Sequence, residues 1–208
     1  MSNYKRKPPE RRVKDRILIL CGGQTEEIYF SRFKEKYKDG LSNVTVKIAK
    51  SKYGNPSAIV DKAISLRNEY DELWCVFDKD DFNDFDEAII KSSRYAKINC
   101  AFSNEAIEYW FVLHFSDVRG AISRKNLNDI ISREFDIKYD KSSTIIEKIC
   151  EKLEDVDIEE VEERAKRGYE YHELNSGKRF SDWRSCTSIF MLTKRLRKWN
   201  DANKSFTV

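Results

Sequence analysis

The stretch ELWCVFDKDDF, residues 72–82, decides the fold that we expect for the whole chain. Its apolar run at 73–77 has the length and continuity of a strand that is buried on both faces of a parallel sheet. The run ends in three acids, Asp78, Asp80 and Asp81. Because open α/β sheets place their ligands at the carboxyl ends of strands, these acids are candidates for a functional site.

Asp78 and Asp80 stand two positions apart, so on extended backbone their carboxylates would point the same way and repel each other. A bound dication would relieve that repulsion, and carboxylate oxygens with room for water suit Mg2+ or Mn2+. The alternative is an acidic turn before the next helix, with Asp80 or Asp81 as its N-cap. The stretch alone leaves both interpretations open, so the neighbouring segments have to decide between them.

Apolar runs and helical patterns alternate on both sides of this stretch. Further strands are predicted at 16–21, 43–49 and 97–102, and helices at 26–38, 57–70 and 82–95. Strands that alternate with helices in this way predict an α/β fold with a mostly parallel, four-stranded sheet and right-handed crossovers. That arrangement brings Gly22, Glu26 and the acids that follow residue 77 to one edge of the sheet.

Another informative stretch, SNEAIEYWFVLHF at 103–115, follows the last of these strands. It predicts a strongly apolar helix that carries Glu108 next to Trp110 and Phe111. A carboxylate in such surroundings is unusual and needs a partner. Two roles stay open for Glu108: a structural ion pair with an arginine, and a place in the functional site.

The composition limits the class of protein. With 208 residues, 36% of them charged and 40% hydrophobic, the chain is typical of a globular domain with a sizeable core. The net charge of +3 indicates no overall preference for nucleic acid. Five scattered cysteines favour small core residues in a reducing compartment. Since no apolar run has the length of a membrane span, we expect a cytoplasmic protein with no membrane partner.

The ends of the chain differ in character from the middle. Residues 1–14 are polar, basic and proline-containing, which predicts a flexible basic arm. Residues 15–116 hold the alternating strands and helices. Residues 117–208 predict helices only, as an appendage packed on the sheet.

The appendage becomes basic after residue 163, and aromatic residues are interleaved with its arginines and lysines. Such a pattern suits phosphate contact combined with base stacking, although the apolar spacing near the end also indicates a packed terminal helix. The candidates for nucleic-acid contact are Lys178, Arg179, Arg184 and Arg195.

Three segments, RILILCGGQTEEIYF from Arg16, VFDKDDF and FSNEAIEYWFVLHF, resemble the RloB family in their order and spacing. The resemblance covers residues 12–116, with a weaker likeness from Ser185 onward. Members of that family have a TOPRIM-type domain related in fold to the nuclease halves of OLD-type proteins. They belong to bacterial phage-defence and restriction-associated loci, so the resemblance implies a TOPRIM-like sheet and a role in antiviral defence, including abortive infection.

TOPRIM chemistry, as the resemblance implies it, depends on acids that hold Mg2+ or Mn2+ and steady a phosphodiester. Asp78 and Asp80 match the family's DxD pair, Glu26 its second glutamate, and Glu108 the glutamate of its helical motif. The glutamate that is usual in the first turn falls on Gly22. Its loss removes a negative charge and the principal metal-binding or general-base group, so the resemblance implies nuclease architecture more directly than nuclease activity.

Two functions are predicted on this basis. The first is a Mg2+-dependent nuclease, or a nuclease-derived effector, that acts on RNA (tRNA included) or DNA. The second is a non-catalytic TOPRIM-like module that binds an ATPase encoded in the same operon or a nucleotide signal. Gly22 favours the second function, unless Glu26 or Glu27 takes over the missing role. Neither the oligomeric state nor the activating trigger follows from the sequence.

Overall fold

A computed structural model describes residues 14–199. All but the last residue of the predicted basic arm lies outside the described residues. The strands are β1 (Asp15–Cys21), β2 (Val44–Lys50), β3 (Glu72–Asp78), β4 (Ile98–Asn104) and β5 (Cys186–Thr187). The helices are α1 (Gln24–Lys36), α2 (Pro56–Leu66), α3 (Phe85–Ser92), α4 (Glu108–Val112), α5 (Arg124–Phe135), α6 (Ser143–Leu153), α7 (Ile158–Asn175) and α8 (Ile189–Arg197). Short 3-10 turns lie at Lys38–Leu41 and Phe180–Asp182.

The five strands form one sheet in the order β2-β1-β3-β4-β5, in which only β5 is antiparallel to its neighbour. The prediction of an α/β fold with a mostly parallel sheet is confirmed. The predicted number of four strands is wrong, and so is the expectation that residues 117–208 form helices only. β5 has two residues, too few for a periodic pattern, and it forms because Cys186 and Thr187 pair with the end of β4.

Helices cover both faces of the sheet, which explains the unbroken apolar runs of its strands. Along β1, Ile17, Ile19 and Cys21 belong to one core, while Leu18 and Leu20 belong to the core on the other face. α2 and α3 bury their apolar sides in the second core. The other helices, including all those after residue 117, pack into the first. The predicted appendage therefore shares a core with the sheet, and its boundary at residue 117 stays a prediction.

The alternation of side chains along β3 decides where Asp78 points. Trp74 and Val76 belong to the core beneath α1 and α4, so Asp78, two residues further on, meets the same helices at the carboxyl end of the strand. The strand ends there, and Asp80 has a positive φ of 40°. The expectation that Asp78 and Asp80 share one extended backbone is therefore wrong.

The N-cap interpretation of this acidic turn is wrong as well. α3 begins at Phe85, and Asp84 is the residue that precedes it, so neither Asp80 nor Asp81 caps the helix. Asp84 instead accepts hydrogen bonds from the Ser57 amide at 3.0 Å and Asn55 Nδ2 at 3.1 Å. These bonds fix the turn after β3 to the start of α2.

All five cysteines are free thiols, and Cys21, Cys75, Cys150 and Cys186 are buried. Among residues 14–199, no helix combines the length and the apolar character needed to cross a membrane.

Candidate functional site

Three buried acidic side chains from three elements meet at the carboxyl edge of the sheet. Glu26 comes from the first turn of α1, Asp78 from the end of β3 and Glu108 from the start of α4. Their exposed fractions are only 5%, 8% and 0%. The structure thus brings together three of the residues that the sequence predicts for the site, and we call them the carboxylate cluster.

Burial and repulsion from neighbouring acids disfavour the charged forms of Glu26 and Asp78. Burial is the main cause that raises the pKa of Asp78 well above its usual value, and the charges of Glu26 and Glu108 add to the effect. Burial also raises the pKa of Glu26, although backbone amides at the start of α1 and the Lys141 ammonium oppose this shift. Buried acids with so little compensation are unfavourable for stability, and such groups concentrate at functional sites.

Two side chains from the segment between α5 and α6 complete the site. Lys141 Nζ lies 3.0 Å from Glu108 Oε1, and Tyr139 Oη donates a hydrogen bond of 2.6 Å to the same oxygen. Burial alone would lower the pKa of Lys141, but Glu108, Asp78 and Glu26 together raise it, so the ammonium stays charged. Glu108 therefore has a lysine and a tyrosine as partners, in place of the arginine considered from the sequence.

Sequence reasoning missed both Tyr139 and Lys141. They belong to the stretch DIKYDKSS, which has no motif, no distinctive spacing and no strong periodicity. Only the return of the chain after α5 brings them to the carboxyl edge of the sheet. A lysine near a tyrosine is too common to be a signal without that tertiary contact.

Two glycines shape the turn between β1 and α1. A Cβ atom at Gly23 would lie 2.6 Å from Glu26 Oε2, so glycine is needed for the Glu26 carboxylate to fold back against the turn. At Gly22, a Cβ atom would lie 3.2 Å from Ile59 Cδ1 and 3.3 Å from the Val76 carbonyl oxygen. A side chain at position 22 therefore requires shifts of a few tenths of an ångström by both the Ile59 side chain and the Val76 backbone.

Asp80 borders the cluster but has a partner of its own. It forms an ion pair with Arg124, the first residue of α5. A cavity of about 310 Å³ is lined by the predicted residues Gly22, Glu26, Asp78 and Asp80 and also by Lys141. Four of the predicted positions thus share one cavity, although Asp80 lies beyond the extended backbone that ends at Asp78.

The donor chemistry of the cluster suits a hard dication. Carboxylate oxygens are the ligands that Mg2+ and Mn2+ prefer, and the buried Glu108 Oε2 has no hydrogen-bond partner among residues 14–199. In this part of the chain, however, no group of three or more Asp, Glu, His or Cys side chains is arranged to hold a metal ion as it stands. The positive charges beside Glu108 and Asp80 are those of Lys141 and Arg124.

The four basic residues predicted for nucleic-acid contact are not gathered in one place. Arg184 is exposed and lines a second cavity that includes Asp80. Lys178 and Arg179 are exposed in the loop before it. Arg195 lies at the opposite end of the sheet, where its Nη2 is 2.9 Å from Glu72 Oε2. Basic composition alone cannot separate these positions, because it does not say which end of the sheet each residue reaches.

Comparison with protein-family models gives a match over most of the chain. A family model described as RloB-like protein matches residues 17–196, which reach from β1 into α8. A search of curated proteins and a search of solved structures each gave no significant match. The matched range includes the whole carboxylate cluster and the segment that provides Lys141.

Proposed function

The chain belongs to the RloB-like protein family, and on this premise we propose that it is a metal-dependent nuclease, or an effector derived from one, in bacterial defence against phages. The observation on which this depends is the convergence of Glu26, Asp78 and Glu108 in a buried cluster at the carboxyl edge of the sheet. A mostly parallel sheet with helices on both faces supports the TOPRIM-like arrangement that the family resemblance implies.

The energetics of the cluster support a functional role. Glu26 and Asp78 both have raised pKa values because they are buried, and the nearby Glu108 raises them further. A fold selected for stability alone would have apolar side chains or one arginine for each acid at these positions. Retaining three acids at a ligand-binding edge is reasonable when a cation and a phosphate are bound there.

The side chains of the carboxylate cluster and of the cavity beside it have separate tasks in this proposal. Glu26, Asp78 and Glu108 would hold Mg2+ or Mn2+ through carboxylate oxygens, with Asp80 at the border. The ion, when bound, supplies charge neutralisation of the phosphodiester and activation of the nucleophile or leaving group. Lys141, which is half-exposed, presents its ammonium to the same cavity and would orient a phosphate oxygen.

A second candidate is a non-catalytic TOPRIM-like module that binds a partner ATPase or a nucleotide signal. Two observations favour it. Position 22 is glycine, so the turn lacks an acid where the family resemblance expects one. In addition, Arg124 and Lys141 already neutralise Asp80 and Glu108. Both observations point to weakened or lost cleavage in this chain.

A cleavage assay with restored and removed acids tests both candidates. The protein, Gly22→Glu and Gly22→Ala are incubated with Mg2+ or Mn2+ and with mixed tRNA or plasmid DNA. We expect Gly22→Glu to cleave faster than the wild type by about 10²-fold or more, because it regains a general base or metal ligand. Gly22→Ala adds the same Cβ without the acid and should leave the rate unchanged.

The same assay separates the candidates. Addition of Asp78→Ala to Gly22→Glu should abolish the restored cleavage, which would exclude the binding-module function. If neither the wild type nor Gly22→Glu cuts any substrate, and calorimetry detects no uptake of Mg2+ or Mn2+, the nuclease proposal is wrong.

A further inference from the structure

A second large cleft lies apart from the carboxylate cluster, between α7 and the segments that follow α4 and precede β5. Its volume is about 680 Å³, within the range of sites for small organic ligands. Arginines from three separate segments line it: Arg119, Arg167 and Arg184. We call it the arginine cleft.

Two of these arginines are held side by side by one acid. Asp117 Oδ1 lies 2.8 Å from Arg119 Nη2, and Asp117 Oδ2 lies 3.1 Å from Arg167 Nη2. The side chains of Arg119 and Arg167 are still 47% and 51% exposed, so they keep N–H donors available in the cleft. A single carboxylate cannot neutralise two guanidinium groups, and paired guanidinium groups suit the oxygens of a phosphate.

Arg184 adds a third positive charge. It is exposed, and among residues 14–199 no carboxylate lies within ion-pair distance of its guanidinium, although Asp182 also lines the cleft. Its backbone is fixed, because the Arg184 carbonyl oxygen lies 2.9 Å from His172 Nε2 and the His172 ring stacks on Trp183. The backbone that carries the Arg184 side chain is therefore held in place.

An exposed aromatic ring lies beside the arginines. Tyr171 is 61% exposed, although it is one of the largest side chains of α7. It lies one helical turn after Arg167, so both side chains are on the same side of the helix. In proteins that bind single-stranded nucleic acid, an aromatic ring such as tyrosine stacks on a base while neighbouring basic groups bind the phosphate.

A glycine leaves free space at the base of the arginine cleft. Gly168 lies in the interior of α7, where glycine is less favourable than alanine by about 1 kcal/mol. A Cβ atom there would lie 3.8 Å from Tyr109 Oη and 4.0 Å from Arg119 Nη1. A long side chain at this position would fill the space between the helix and Arg119.

The arginine cleft shares the lining residue Arg184 with a cavity at the acidic edge. Arg184 also lines a smaller cavity, of about 310 Å³, whose other lining residues include Asp80. Asp80 in turn lines the cavity of the carboxylate cluster. Three neighbouring cavities are thus linked by Arg184 and Asp80.

We infer that the arginine cleft binds a nucleotide unit of single-stranded nucleic acid, with its base on Tyr171 and its phosphate on Arg119, Arg167 and Arg184. The strand continues past Arg184 to the carboxylate cluster. This inference rests on the proposed function, because it assigns a place to the substrate of that site. A free nucleotide has the same chemistry, and the test distinguishes the two sources.

The test measures binding without cleavage. Fluorescence anisotropy in EDTA follows labelled single-stranded RNA and DNA of about 10 nucleotides. We expect the double variant Arg119→Ala/Arg167→Ala to bind at least about tenfold more weakly, with a salt dependence reduced by about one to two released ions. Tyr171→Ala should weaken binding about fivefold or more. Arg94→Ala removes an exposed arginine in the turn between α3 and β4 and should bind like the wild type.

Competition by mononucleotides identifies the source of the ligand. If the oligonucleotide binds much more tightly than a mononucleotide, the ligand is a strand; similar affinities in the cleft indicate a free nucleotide. Equal binding by the wild type and the folded double arginine variant overturns the inference, as does no binding to the wild type. Cleft binding in EDTA, combined with no cleavage by Gly22→Glu and no uptake of Mg2+ or Mn2+, would contradict the proposed function alone.

Discussion

Both ends of β3 carry a carboxylate, but the two acids have opposite surroundings. At the amino end, Glu72 Oε2 accepts hydrogen bonds from Arg195 Nε at 3.0 Å and Nη2 at 2.9 Å, and Glu72 Oε1 accepts one from Trp74 Nε1 at 2.7 Å. At the carboxyl end, Asp78 is buried next to two further acids, and the positive charge of Lys141 opposes their effect on its pKa.

The difference shows what each end of the strand is built for. Arg195 is itself fixed by stacking at 3.8 Å on the Trp199 ring, so the amino end is a finished structural ion pair. At the carboxyl end, Glu26 and Asp78 have raised pKa values, and Glu108 Oε2 has no hydrogen-bond partner among residues 14–199. A bound cation would stabilise this arrangement. Three measurements can break or sharpen this comparison.

The largest expected effect is stabilisation by the ion. If Mg2+ or Mn2+ binds only the folded cluster, a concentration 100-fold above its Kd raises the free energy of unfolding by about 2.7 kcal/mol. Thermal unfolding with and without the ion measures the gain. Asp78→Asn should lose it and Glu72→Gln should keep it. An equal gain in both variants would show that the ion binds elsewhere.

The next effect is the loss of the ion pair at the amino end. Glu72→Ala leaves Arg195 and the Trp74 indole N–H without their acceptor, and we expect a loss of about 2 kcal/mol in the free energy of unfolding. The Glu72 side chain is only 16% exposed, so water cannot fully replace these bonds. Urea unfolding measures the loss. Glu87→Ala, an exposed acid on α3, is the control and should change stability by less than about 0.5 kcal/mol.

The smallest effect is a gain in the free energy of unfolding, in contrast to the loss expected for Glu72→Ala. In EDTA, Asp78→Asn removes a buried group whose charged form is disfavoured, so we expect the free energy of unfolding at neutral pH to rise by about 1 kcal/mol. Destabilisation of that size instead would mean that Asp78 is a structural acid like Glu72.

The difference in the free energy of unfolding between the wild type and Asp78→Asn depends on pH, and its sign follows from the raised pKa of Asp78. Because burial and the neighbouring acids raise the pKa of folded Asp78, the folded state binds the proton more tightly than the unfolded chain. This contribution is complete below the unfolded pKa and is lost as the pH rises through the folded pKa. Burial lowers the pKa of His114 to about 4, which has the opposite sign, but His114 is present in both proteins. The wild type minus Asp78→Asn difference therefore cancels the contribution of His114 and reports Asp78 together with its effect on Lys141.

Local pattern was sufficient to predict most of the sheet. β1 to β4 are unbroken or alternating apolar runs, and Asp78 follows the strand that is buried on both faces, so its place at the ligand-binding edge could be predicted. Glu108 could be identified as unusual because a carboxylate in a buried apolar helix stands out. These signals depend only on residues within one element.

The remainder depends on contacts between distant parts of the chain. Lys141, Tyr139 and Arg124 reach the acidic edge only because α5 and the segment after it fold back over the sheet. Asp80 does not continue the extended backbone of Asp78, because β3 stops two residues earlier. The pairing of β5 likewise needs β4 in place, and two residues carry no periodic signal.

β5 has a consequence for the order in which the protein is completed on the ribosome. Cys186 and Thr187 pair with β4, and Ser188 adds a bond of 2.9 Å from its amide to the Phe102 carbonyl oxygen. Until this late segment has been synthesised, the outer side of β4 is an open edge with unpaired backbone groups. In a nascent or truncated chain that stops before Cys186, this edge is therefore open to pairing with other unfinished chains. In the complete chain, β5 covers the end of β4 and prevents such pairing there.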